Sequence, residues 1–119
     1  MKVVATRESV AMGDDVLAPH EGTWELPEQL GIPGVLAALE LDRYLPVVGL
    51  STWVARGPDG AALAVVARRW RKPRMLPGAR DDVAGLMDAD GVARLYFEYR
   101  AQADPDVIYD DLCEAQGQP

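Results

Sequence analysis

The tetrapeptide Gly57-Pro58-Asp59-Gly60 constrains the fold of this chain more than any other stretch. Its residues supply turn dihedrals at low cost: proline pre-sets φ, aspartate can bond the backbone two residues on, and glycine accepts a left-handed conformation. On either side lie segments that are rich in β-formers or alternate in polarity, Ser51 to Arg56 and Ala61 to Trp70. A β-hairpin is predicted over these residues, so the fold contains a sheet that includes it.

Further elements follow from spacing. Val3 to Met12 places Val4, Thr6, Val10 and Met12 on one side of an extended chain and Val3, Ala5, Arg7 and Ala11 on the other, which predicts a first strand. Gly13 to Gly22 reads as a polar loop, and Thr23-Trp24-Glu25-Leu26 alternates again until Pro27, which cannot donate to a central ladder. A short second strand, hairpinned to the first, is expected. Pro33 suits the first turn of a helix, and Ile32, Val35, Leu36 and Leu39 make an apolar stripe that should end near Arg43, before Pro46. Asp81 can cap a short helix with Val83, Leu86 and Met87 facing inward, and Gly91 offers a left-handed stop. Leu95, Phe97 and Tyr99 share one face of a strand from Val92 to Arg100. Asp104-Pro105 then supplies an N-cap and a proline at the first helical position. The closing helix carries Ile108 and Leu112 one turn apart and an acidic outer face of Asp106, Asp110, Asp111 and Glu114, while Gln116 to Pro119 should fray.

The order is strand, strand, helix, strand, strand, short helix, strand, helix. Over residues 2 to 100 it resembles the β-grasp, or ubiquitin-like, fold, with a first hairpin from Val3 to Leu26, a helix after Leu26-Pro27-Glu28, a second hairpin and a last strand at Val92 to Arg100. The resemblance implies an α+β domain in which a mixed sheet of about five strands packs on one main helix, here with a C-terminal helix added. Families on this fold include sulfur carriers, iron–sulfur ferredoxins and protein-interaction modules, and the fold alone does not choose among them. Carriers end in Gly-Gly so that a flexible carboxylate can be activated, whereas this chain ends Ala115-Gln116-Gly117-Gln118-Pro119, so carrier chemistry is not expected. Ferredoxins need four cysteine ligands and this chain has one, Cys113. No cofactor is expected.

At 119 residues, 49% hydrophobic and 26% charged, the chain has the make-up of an ordinary globular protein with one core. A lone cysteine forms no internal disulfide, and the apolar run after Met1-Lys2 is too short for a signal peptide, which points to the cytoplasm. No window approaches the ~18 apolar residues of a membrane span. The formal charge of -7 repels nucleic acid and favours a partner with a basic surface. That charge is uneven, because six of the twelve basic residues, Arg68, Arg69, Arg71, Lys72, Arg74 and Arg80, fall between positions 68 and 80.

Candidate sites are few. Asp14, Asp15, His20 and Glu21 bring oxygen and nitrogen ligands into one short loop, the best place for a divalent cation or an acid/base pair, though the spacing matches no established coordination pattern. Nucleophilic use of Cys113 needs a nearby base or cation, yet its chain neighbours Asp111 and Glu114 are anions. Ser9 and Ser51 lie in no nucleophile-elbow sequence, and no glycine pattern forms a phosphate cradle. In the run Arg68-Arg69-Trp70-Arg71-Lys72-Pro73-Arg74 a tryptophan sits among cations, suited to an acidic surface, to the chain's own acidic helix, or less well to nucleic acid. The leading expectation is a small acidic protein-binding module, such as an immunity protein, an antitoxin or an accessory subunit, that uses this run together with Asp106, Asp110 and Asp111. The competing one is a small metal-dependent hydrolase built on the Asp14/Asp15/His20/Glu21 loop. The oligomeric state is open.

Overall fold

A computed structural model describes residues 1–8, 21–45, 51–78, 82–101 and 103–117. The mid-chain hairpin forms as expected, with β3 (Thr52–Arg56) antiparallel to β4 (Ala62–Ala67) and a register shift between Ala55 and Arg56. Gly60 takes φ 86°, and the Asp59 carboxylate accepts the Ala61 N–H at 3.1 Å. β1 (Lys2–Arg7) pairs antiparallel with β2 (Glu21–Glu25). β6 (Ala93–Tyr99) lies between β1, to which it is parallel, and β3, to which it is antiparallel. With β5 (Arg74–Met75) on the far edge of β4, the mixed sheet has six strands in the order β2-β1-β6-β3-β4-β5. This is the β-grasp-like α+β arrangement that the element order implied, with an extra edge strand.

β4 stops at Ala67 rather than Trp70, because the Trp70 N–H turns back to the Ala67 carbonyl at 3.0 Å. Residues 9–12 of the expected first strand lie outside the described residues. The single helix expected to reach Arg43 is two short helices, α1 (Ile32–Ala38) and α2 (Leu41–Tyr44), separated by Glu40 at φ 51°. The reason is visible in the spacing. Ile32, Val35, Leu36 and Leu39 share one face, and a helix continued past Leu39 would turn Leu41 roughly half a turn away from it. The left-handed residue costs on the order of 1 kcal/mol and lets Leu41 and Leu45 be buried as well. The short helix near Val83 is a 3₁₀ turn, Val83–Leu86. Side chains three apart eclipse in that geometry, so Val83 and Leu86 are buried while Met87, expected inside, is exposed.

The closing helix, α3 (Pro105–Gly117), begins as its sequence predicts, with the Asp104 carboxylate accepting the Asp106 N–H at 2.9 Å. It lies on the face of the sheet opposite α1. Val3, Ala5, Trp53, Ala55, Leu95 and Phe97 pack with Ile32, Val35, Leu36 and Leu39 on one side. On the other, Val54, Ala62 and Leu76 pack with Ile108, Tyr109, Leu112 and Cys113. β3 and β4 are therefore covered on both faces, which accounts for their nearly unbroken apolar runs. No helix among the described residues is long and apolar enough to cross a membrane.

Tyr44 ties α2 to the first strand. Its hydroxyl donates to the Ala5 carbonyl at 3.0 Å, and its ring meets Trp24 edge-on at 5.3 Å and Phe97 at 6.0 Å. The Trp24 ring in turn lies over Gly22, where a Cβ would run into it. Burial pushes the Tyr44 phenol up to about 12, with Arg7 acting against the rise and Glu21 adding to it. A phenol harder to ionise in the folded chain than in the unfolded one stabilises the fold below pH 10, and that stability is lost as pH rises through about 12. The full rise would correspond to about 2.7 kcal/mol, and because the ring is only half-buried, solvent screening reduces this to about 1 to 2 kcal/mol. Urea unfolding of wild type and Tyr44→Phe at several alkaline pH values checks this: the stability difference between them should shrink over that window, and a constant difference would refute it.

Candidate functional site

The basic run is the loop of the β4–β5 hairpin. Arg68, Arg69, Arg71 and Lys72 are exposed on it, while Trp70 is half-buried. The cations stay outside because each guanidinium or ammonium keeps its hydration there, whereas the indole can use the edge of the core. The loop is secured at both ends. The Arg68 N–H donates to the Ser51 carbonyl at 3.0 Å, and β5 returns in register with β4, Met75 opposite Ala64 and Arg74 opposite Val65.

Arg74 differs from the other cations of the run. Its guanidinium lies 4.0 Å from the centre of the Trp70 ring and 5.8 Å from that of Tyr109, and its Nη1 is 3.3 Å from Asp106 Oδ1. Trp70 and Tyr109 meet edge-on at 6.4 Å, and the Tyr109 hydroxyl donates to the Met75 carbonyl at 3.0 Å. Burial raises the pKa of that phenol, and the side chain of Cys113 and the charge of Asp110 add to the rise against the pull of Arg74. Each of these contacts is worth about 1 kcal/mol or less at an exposed site. Together they hold the basic loop to α3, so part of the expected pairing between the basic run and the acidic helix takes place within the chain.

The outward side of α3 is a continuous stripe. Asp106, Val107, Asp110, Asp111 and Glu114 are all exposed, at spacings of three and four that place them on neighbouring turns. Val107 is 53% exposed and stands among the carboxylates. The inward side, Ile108, Tyr109, Leu112 and Cys113, is fixed on the sheet, so the stripe is held rigidly.

On the other face of the sheet, a cavity of about 500 Å³ opens between α1, α2 and the same basic loop. Leu36, Leu41, Leu45, Trp53 and Val66 give it apolar walls, and Glu40, Arg68, Trp70, Arg71 and Lys72 also line it. Trp53 is 1% exposed, and its indole N–H has no hydrogen-bond partner. Nothing in the local sequence signals this cavity, because its walls come from segments thirty residues apart; only the alternation that puts Trp53 and Val66 on one sheet face could have hinted at it.

The other expected sites fare differently. Asp14, Asp15 and His20 lie outside the described residues, and Glu21 opens β2 opposite Thr6, exposed. Among the described residues no group of three or more His, Cys, Asp or Glu could hold a metal ion. Ser51 is buried at the start of β3, and Ser9 is outside the described residues. A second charged group, Arg56, Glu98 and Arg100, lies at the edge of α3's face of the sheet: Glu98 Oε1 accepts from Arg56 Nη2 at 3.1 Å and from Arg100 Nε at 2.9 Å. Partial burial pushes the Glu98 carboxyl up, but these bonds outweigh it and hold it below its usual range. The group is self-satisfied and reads as a cross-strand clasp between β3 and β6.

Against known proteins, the chain matches no family model, no curated protein and no solved structure.

Proposed function

We propose that this chain is a small acidic protein-binding module that presents the outer face of α3 to a partner with a basic surface. The observation that supports it is the stripe Asp106, Val107, Asp110, Asp111 and Glu114, an acidic helix face with an exposed apolar residue among the charges, on a helix whose other face is anchored. A pre-ordered surface loses little conformational freedom on binding, and a chain of formal charge -7 attracts a cationic partner over several ångströms before contact. An immunity protein, an antitoxin or an accessory subunit of a basic enzyme would use such a face, in the cytoplasm or wherever that enzyme acts. Arg68, Arg69, Trp70, Arg71 and Lys72 would then flank the contact and fix its orientation, with Arg74 holding the loop in place from within.

The test is comparative capture from host extract. Wild type and an Asp110→Asn/Asp111→Asn/Glu114→Gln variant serve as baits, followed by association kinetics with the protein that only wild type retains. The expected result is roughly tenfold slower association of the variant at low salt, converging with wild type at high salt. An Arg69→Ala/Arg71→Ala variant should change the rate less. Equal rates for wild type and the acidic-stripe variant at low salt would sink the reading, and a larger loss from the arginine variant would reverse the charge of the partner.

A further inference from the structure

We infer that the outer edge of β2 takes an extended basic peptide as a further strand of the sheet. The register of the first hairpin shows which backbone groups are on offer. Met1 and Leu26 exchange both hydrogen bonds, the Met1 nitrogen donating to the Leu26 carbonyl and the Leu26 N–H to the Met1 carbonyl, each at 2.9 Å. Antiparallel pairs alternate between bonded and non-bonded. Val3 with Trp24 and Ala5 with Gly22 are therefore bonded, whereas Glu21, Thr23 and Glu25 turn their N–H and C=O groups away from β1. β2 is the last strand on its side of the sheet, and those groups meet no hydrogen-bond partner among the described residues. The strand contains no proline and pairs with β1 without a register shift, so it lacks two of the usual devices that blunt an edge.

The side chains narrow the occupant. Glu21, Thr23 and Glu25 are also the exposed residues of β2, so a strand bonded to them sets its own side chains beside theirs. A second copy paired antiparallel about Thr23 would place each Glu21 opposite a Glu25, and like charges directly opposite work against that pairing. A peptide with lysine or arginine at two positions four residues apart instead meets a carboxylate at both, and the formal charge of -7 draws it in from a distance. Glu25 also faces the Met1 ammonium, but at 3.7 Å and with its side chain 77% exposed it stays open to a second cation. On the other face, the half-buried Trp24 ring lies over Gly22, so the peptide residues opposite these two meet an apolar surface. Main-chain bonds then supply affinity, and the alternating cations and apolar side chains supply selection. The inference is independent of the α3 reading, because α3 packs on Val54, Ala62 and Leu76 and not on β2.

The probe is the capped heptapeptide Thr-Lys-Val-Thr-Val-Lys-Thr, titrated at low salt into the full ¹⁵N-labelled chain. The backbone amide signals of Glu21, Thr23 and Glu25 should move downfield saturably and gain protection from hydrogen exchange. Those of Gly22 and Trp24, already bonded to β1, should move less. In antiparallel register the two lysine amides and the central threonine amide face β2, so methylating these three should abolish binding. Methylating the two valine amides, which face away, should change affinity less than threefold. Glutamate in place of both lysines should weaken the peptide tenfold or more. Glu21→Gln/Glu25→Gln should weaken the lysine peptide at least threefold, while Asp110→Asn/Asp111→Asn leaves it within twofold of wild type. Absence of saturable shifts up to millimolar peptide, equal losses from the two methylation patterns, or shifts centred on α3 instead of β2 would each overturn the inference. Concentration-dependent shifts of the β2 amides without peptide would also overturn it, giving the edge to a second copy.

Discussion

Phe97→Ala is expected to destabilise the fold by about 3 to 5 kcal/mol, the largest effect of any single truncation considered for this chain. Phe97 is fully buried in β6, the strand that joins the two halves of the sheet, opposite Arg7 of β1 and Ala55 of β3. Ala55 offers no bulk to fill the space the ring would leave, and the edge-on contact with Tyr44 at 6.0 Å would be lost. Collapse around the gap is limited because β6 is hydrogen-bonded on both sides. Urea unfolding should show a lower midpoint with an unchanged slope. A loss below about 1 kcal/mol would mean that the ring is not at the centre of the core.

Leu36→Ala comes next, at about 2 to 4 kcal/mol. Leu36 is 2% exposed and stands on the inward face of α1 with Ile32, Val35 and Leu39. Alanine has the higher helix propensity, so any helix gain, a few tenths of a kcal/mol at most, opposes the loss and cannot account for it. The substitution also enlarges the cavity under the basic loop, which Leu36 lines, so collapse cannot readily close the gap. Thermal or urea denaturation measures the cost, and a change within about 0.5 kcal/mol would remove α1 from its place on the sheet.

The two hairpins, the order of the elements and the start of α3 were legible in the sequence because each rests on a local signal: the Gly57-Pro58-Asp59-Gly60 turn, the alternation through Val3 and Val4, and the Asp104-Pro105 cap. What stayed hidden depends on distant partners. β5 has two residues, too few for a period, and exists because β4 offers an edge at Ala64 and Val65. The break at Glu40 answers to the burial of Leu41 and Leu45, which only the finished core rewards. Of the candidate site, the charge of the basic run and of the α3 face could be read directly. Nothing near Arg74 in sequence foretold that it would sit between Trp70 and Tyr109, and nothing near Trp53 foretold an unpaired N–H beside a cavity.

The parallel pairing of β1 with β6 has a consequence for how the chain is made. The two hairpins, β1–β2 and β3–β4, are each local and can form as soon as they leave the ribosome, but both present an open edge toward the position that β6 will fill. At about 5 to 20 residues per second, synthesis leaves the β3 edge uncovered for roughly two to six seconds between the appearance of Ala67 and that of Tyr99, and the β1 edge, whose hairpin is complete at Glu25, for roughly four to fifteen. During that interval the strand edges can pair with other nascent chains as readily as with their own last strand. Insertion of β6 between them closes both edges at once, so the native sheet is completed in a single late step that joins residues some ninety positions apart.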